Sequence, residues 1–201
     1  MSVLDLLQSQ LSGNTMQQIS RQLGADPQST AKAVSGALPL LLGAMANNTS
    51  RPQGAQSLLS ALDRDHDGSV LDDLAGFLGS NPQSIGNGIL GHVLGDRQDT
   101  VASHLGQASG LNAGQVTQLL AMLAPLVMGA LGRMRNQGGL DAGALSGLLG
   151  REQQRAQQAA PEGLGGMLSH LLDANGDGSV VDDVARMGAG LLGNLLGGGR
   201  R

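Results

Sequence analysis

Apolar residues recur along this chain at helical spacing. Val34, Leu38, Leu41, Leu42 and Met45 follow it, and so do Val116, Leu119, Leu120, Leu123 and Val127. No stretch sustains the alternate-residue pattern of a half-buried strand, and β-branched and aromatic residues are scarce. The pattern predicts an all-α fold, with helices near 2–11, 14–23, 27–47, 54–62, 71–79, 83–94, 99–108, 113–135, 141–158, 162–172 and 182–196. Asp26 and Asn112 read as N-caps, and Pro27 suits a first helical position. Pro39 and Pro125 fall inside the two longest patterns, where each is expected to kink its helix.

Those two patterns repeat each other. A shift of 86 residues lays Leu23, Gly24 and Asp26 on Ser109, Gly110 and Asn112, and lays Pro39, Leu40 and Gly43 on Pro125, Leu126 and Gly129. Such agreement implies a duplicated helical unit, residues 1–80 and 81–201, packed as one compact helical bundle. An Arg-, Gln- and Ala-rich stretch at 151–161 reads as a polar helix or linker in the second copy.

Composition narrows what can fill the core. The chain of 201 residues holds 33 glycines, one aromatic (Phe77) and no cysteine. Leu, Ala, Met, Val and Gly must therefore pack it, although each helical Gly costs about 1 kcal/mol against Ala. The lack of cysteine excludes disulfides and thiolate metal sites. No secretory signal is visible at the N-terminus. The weakly polar runs at 37–46 and 119–132 fall short of the roughly 20 residues that a membrane span needs, so no transmembrane segment and a cytoplasmic location are expected.

The net charge of −4 hides an asymmetry, because nine of the 16 acidic residues sit in two short segments (five in the first, four in the second). The first carries Asp63, Asp65, Asp67, Gly68, Ser69, Asp72 and Asp73; the second carries Asp173, Asn175, Asp177, Gly178, Ser179, Asp182 and Asp183. Oxygen-bearing side chains at positions 1, 3 and 5 with Gly at 6 resemble the way an EF-hand wraps calcium. Asp63, Asp65 and Asp67 would supply the first ligands, Ser69 its carbonyl, and Asp72 the closing carboxylate; Asp173, Asn175, Asp177, Ser179 and Asp182 would do the same in the second loop. The bidentate Glu normally found at position 12 is absent, since Leu74 and Val184 stand there. Affinity is accordingly expected to be low, roughly 10⁻⁵ to 10⁻³ M. A metal-free account competes with this one. Ser69 with Asp72, and Ser179 with Asp182, match a capping box that starts a helix. That account leaves unexplained why five carboxylates crowd into 11 residues.

Other chemistry is thin. Residues 18–34 have the rhythm of a helix-turn-helix, yet only Arg21 and Lys32 are basic there, which argues against nucleic acid as a partner. His66, His92, His104 and His170 lack zinc-site spacing. Gly86, Gly88 and Gly91 mimic a dinucleotide fingerprint without the preceding strand. No nucleophile elbow or phosphate-binding loop is present, so an enzyme is not expected. The Gly- and Leu-rich tail at 187–201 admits self-association into a homo-oligomer, or contact with a membrane, as an alternative to a final core helix.

The Leu23-Gly24 and Leu38-Pro39 elements, with the segments at 65–72, 88–95 and 123–131, resemble a bacterial domain-of-unknown-function family (DUF 937) related to YidB-like proteins. The resemblance implies an all-helical fold and brings no catalytic residues. The resulting expectation is a non-enzymatic helical protein in which two calcium-type loops act structurally. A helix-turn-helix nucleic-acid protein and a self-assembling or membrane-associated protein are the alternatives.

Overall fold

Ser2, Asp26, Asp73, Asn112 and Asp141 each accept from an N–H in the first turn of the helix they precede. The computed structural model describes residues 2–65 and 67–159. Among them the elements are α1 (Val3–Gln10), α2 (Asn14–Leu23), α3 (Pro27–Thr49), α4 (Pro52–Asp65), a 3₁₀ turn (Ser69–Leu71), α5 (Leu74–Gly79), α6 (Gln83–Val93), a second 3₁₀ turn (Gly95–Arg97), α7 (Gln98–Ser109), α8 (Ala113–Gly138) and α9 (Ala142–Ala159). No strand occurs among the described residues. The all-α expectation holds.

Two corners organise the chain. In the first, α2 ends on Gly24 in the left-handed region, and the Asp26 carboxylate accepts from Gln28 N and Ser29 N to open α3. In the second, α7 ends on left-handed Gly110, and Asn112 opens α8 with a reciprocal capping box to Gln115. These boundaries follow the same 86-residue offset as the sequence. The corners also dock on each other. Gln115 Nε2 donates to Leu23 O (3.0 Å) and Gln118 Nε2 to Gln22 O (3.3 Å), while Ser29 packs beside Gly110.

Helices α3 and α8 lie together at the centre, where the apolar stripes fill one continuous core reaching from Val3 to Leu149. Residues 119–132 of α8 are buried on every side, as expected of a helix wrapped by neighbours. Around this pair, α6 and α7 cover α8, α9 runs against α3, and α1 packs on α8. The α9 helix is fastened at two points in its first three turns. Ser146 Oγ donates to Thr49 O (3.3 Å), and buried Glu152 accepts 2.6 Å from the Ser2 hydroxyl that caps α1. Pro39 and Pro125 sit inside unbroken helices.

Three expectations change. The helix expected at 71–79 is divided, because Asp73 rather than Ser69 caps α5, accepting from Gly76 N at 2.9 Å. The capping box of Ser69 with Asp72 is not formed; Ser69–Leu71 is a 3₁₀ turn led by Gly68 without a side-chain cap. Finally, the apolar runs thought too short for a membrane belong to helices of 23 and 26 residues. By length and mean hydropathy (1.2 and 1.5) both α3 and α8 could span one, and 72% and 78% of those windows are buried within the fold.

Candidate functional site

The Asp-rich segment is the end of one helix, a turn, and the start of another, all laid across the last turns of α8. Asp63 belongs to α4, which continues to Asp65, so the first two expected ligand positions are helical. The chain then turns at Gly68, whose φ of 97° is the left-handed bend that the sixth position of a calcium loop uses. Asp67 Oδ1 accepts from Ser69 N (2.9 Å), which tightens the bend.

The carboxylates meet arginines. Asp63 takes both prongs of Arg135, with Nε to Oδ1 at 2.6 Å and an η-nitrogen to Oδ2 at 2.7 Å. Asp72 pairs with Arg133, whose guanidinium also donates to Gly68 O at 3.2 Å. Asn136 Nδ2 donates to Asp67 O at 2.9 Å. Asp73 is spent on capping α5. The parts of Asp63, Asp67, Ser69 and Asp72 that the structure describes therefore share one end of the molecule, but no three acids or histidines among the described residues converge as a metal cluster. The side chain of Asp65 lies outside the description, as do His66 and the whole second set, Asp173, Asn175, Asp177, Ser179 and Asp182.

Glycine makes the seat possible. A Cβ on Gly68 would come within 3.0 Å of Gly129 O and of Arg133 N, and one on Gly129 would overlap Val70 Cγ1. Backbone thus meets backbone at this point, and Val70 with Leu71 anchors the turn in the core. Both ion pairs remain wet. Asp72 is 72% exposed and Asp63 51%, so their strength is that of surface pairs, about 0.2–1 kcal/mol each. Arg133, Arg135 and Asn136 were not singled out from sequence. Their signal was the appearance of two arginines directly after a long apolar run in a chain whose acid is concentrated elsewhere.

The corner resembling a helix-turn-helix carries an acid, Asp26, at its cap, and the N–H of Ser29, then the Ser29 hydroxyl and the Gln28 N–H, hold that carboxyl below its ordinary value. Exposed Lys32 is the basic residue in the first two turns of its second helix, where phosphate contacts would be sought.

Fold and site together define an all-helical bundle with an Asp-rich turn seated on a central helix by arginines. A family model described as "Bacterial protein of unknown function (DUF937)" matches residues 5–134, and the chain belongs to this family. No curated protein and no solved structure matches the chain.

Proposed function

We propose that this protein is a non-enzymatic scaffold built from a duplicated helical unit, in which the Asp-rich segment is a structural clamp. The observation that carries this reading is the convergence of Asp63, Asp72 and Asp67 O on Arg135, Arg133 and Asn136 of α8. Chain entering from α4 and leaving to α5 is pinned at that point to the central helix. Crowded carboxylates need positive charge nearby, and arginines supply it here. Duplication is supported by the shared offset of the two left-handed glycine caps, the two Asx caps and the two internal prolines.

A calcium-type cation is a second source of that charge. The D-x-D-x-D-G spacing and the left-handed Gly68 favour it. Cation and arginines would share the same oxygens of Asp63 and Asp72, with Asp65, Asp67 and Ser69 O completing the set. Thermal melting tests both sources. Arg135→Ala is expected to lower stability by about 0.5–1 kcal/mol, and less at high salt. Calcium is expected to raise the melting temperature of wild type against a chelator, and to do so no longer in Asp67→Ala. A flat calcium titration beside a destabilised Arg135→Ala would leave arginine as the sole counter-charge. An Arg133→Ala, Arg135→Ala double variant as stable as wild type would remove the clamp altogether.

A further inference from the structure

Two adjoining cavities of opposite character meet where the end of α3 faces the end of α6. Both are lined by Asn48, His92 and Val93, and Asn48 Nδ2 donates to His92 O at 3.3 Å between them. One cavity, about 110 Å³, is apolar and lies between Leu58 and Ala61 of α4 and Ile89 of α6. Met45 and Met128, 1% and 3% exposed, form its floor. Ile85, one turn before Ile89 on α6, is 51% exposed and continues the apolar lip. The other cavity, about 200 Å³, is polar and is lined by Asn47 and Arg51. No acidic side chain lines either one. We propose that the joined cavities bind a small amphiphilic anion, a carboxylate on a short aliphatic tail. The tail covers Met45 and Met128, and the carboxylate lies beside Arg51. This site is separate from the clamp on α8 and does not rest on it.

Size, charge and adaptability select this ligand. An apolar cavity of about 150 Å³ accepts a benzene ring, so the apolar half here takes about four to five carbons. Its methionine floor can adjust to an irregular tail, because the thioether chain is unbranched and flexible. The charge of the head follows from the polar half, where Arg51 is exposed and no carboxylate competes for it. Arg97 lines the same cavity but already has a partner, so the attraction is assigned to Arg51. The Asn48–His92 bond between the cavities is exposed and long, so a carboxylate can take over the Asn48 amide at little cost. A second copy of the chain fits less well. A stable dimer buries about 1,200 Å² or more, and Ile85 is the exposed large apolar side chain among the described residues.

Methionine methyl NMR on the full chain tests the site with sodium hexanoate as the probe. Hexanoate is expected to shift the Met45 and Met128 signals saturably, with a Kd of about 1 mM. Met16 of α2, which lines neither cavity, should stay in place. Arg51→Glu should weaken hexanoate binding by about three- to tenfold and leave binding of neutral hexanol unchanged. Ser57→Phe, from an exposed position on the rim, should block both probes by filling the apolar half; Ala61→Leu repeats that measurement from the other side of α4 if the first variant fails to fold. Met45 and Met128 signals unmoved by hexanoate would overturn the proposal. Hexanol bound as tightly as hexanoate, with no effect of Arg51→Glu, would overturn the anionic head. Shifts that follow protein concentration rather than hexanoate would assign the cleft to a second copy instead.

Discussion

Helices α3 and α8 start alike and finish differently. Each opens behind an Asx cap, carries proline at its thirteenth position and buries its middle turns. Proline has no N–H, so each helix has a carbonyl four residues back without its helical donor, Ser35 in α3 and Ala121 in α8. Ser35 is exposed, and water can serve it; Ala121 is buried. There α6 comes against α8 with Gly86, and a Cβ on that glycine would overlap the Ala121 oxygen. Beyond the core the contrast widens. The last turns of α8 carry Arg133, Arg135 and Asn136, which hold the Asp-rich turn, whereas α3 ends in Asn47, Asn48 and Thr49 beside an open groove. Packing keeps the middles of the two helices alike, and their surroundings set the differences.

The sharpest break of that comparison lies at Gly86. Gly86→Ala forces the backbones of α6 and α8 apart over the proline-freed carbonyl, and a loss of about 3 kcal/mol in urea unfolding is expected. Gly91 is on the same helix and faces open space. Gly91→Ala should therefore stabilise, by up to about 1 kcal/mol, through helix propensity alone. Similar effects at the two glycines would mean that α6 does not approach α8 closely and that the freed carbonyl plays no part in the difference from α3.

A smaller change is expected at Gly129. There a Cβ would strike Val70, whose side chain can shift, before it meets the Gly68 backbone at 3.8 Å. Gly129→Ala should cost about 1–3 kcal/mol. It should also expose the turn at 67–73 to proteolysis while α4 and α5 remain helical by circular dichroism. Unchanged stability and protease resistance would mean that the turn is held by its ion pairs alone.

Much of this architecture was legible in the sequence, and the parts that were not have a common cause. Helix α2 is as expected at 14–23, and α3 and α8 start where their caps put them, because apolar periodicity and Asx caps are local signals. Both long helices run further than expected, to Thr49 and Gly138, since backbone hydrogen bonding continues through polar residues after the apolar stripe ends. Apolar periodicity predicts α4 only as far as residue 62, yet the helix includes Asp63 and Arg64, the latter donating back to Ser60 O at 3.2 Å. The Asp-rich segment was visible as a concentration of charge. Its partners were not, because Arg133 lies 61 residues from Asp72 and Arg135 lies 72 from Asp63. Periodicity cannot report a contact at that separation; only the packing of α4 and its turn on α8 brings these groups together.

The finest distinction between α3 and α8 is the chemistry of their caps. Asn112→Ala should cost about 1 kcal/mol at neutral and acid pH alike, since an amide has no proton to gain. Asp26 behaves differently. The Ser29 N–H, the Ser29 hydroxyl and the Gln28 N–H favour its carboxylate and lower its proton affinity in the folded state. A depressed folded value means that the cap contributes fully above the ordinary carboxyl range and is lost as pH falls through the lower, folded value. The negative charge at the helix N-terminus adds to that preference. Asp26→Asn gives α3 the same kind of cap as α8. It should therefore sit close to wild type at pH 7 and lose less stability on acidification below about pH 4. Urea unfolding of both proteins at pH 7 and pH 3 reads the difference directly. Parallel losses in the two proteins would mean that the carboxylate of Asp26 is not what distinguishes the start of α3 from the start of α8.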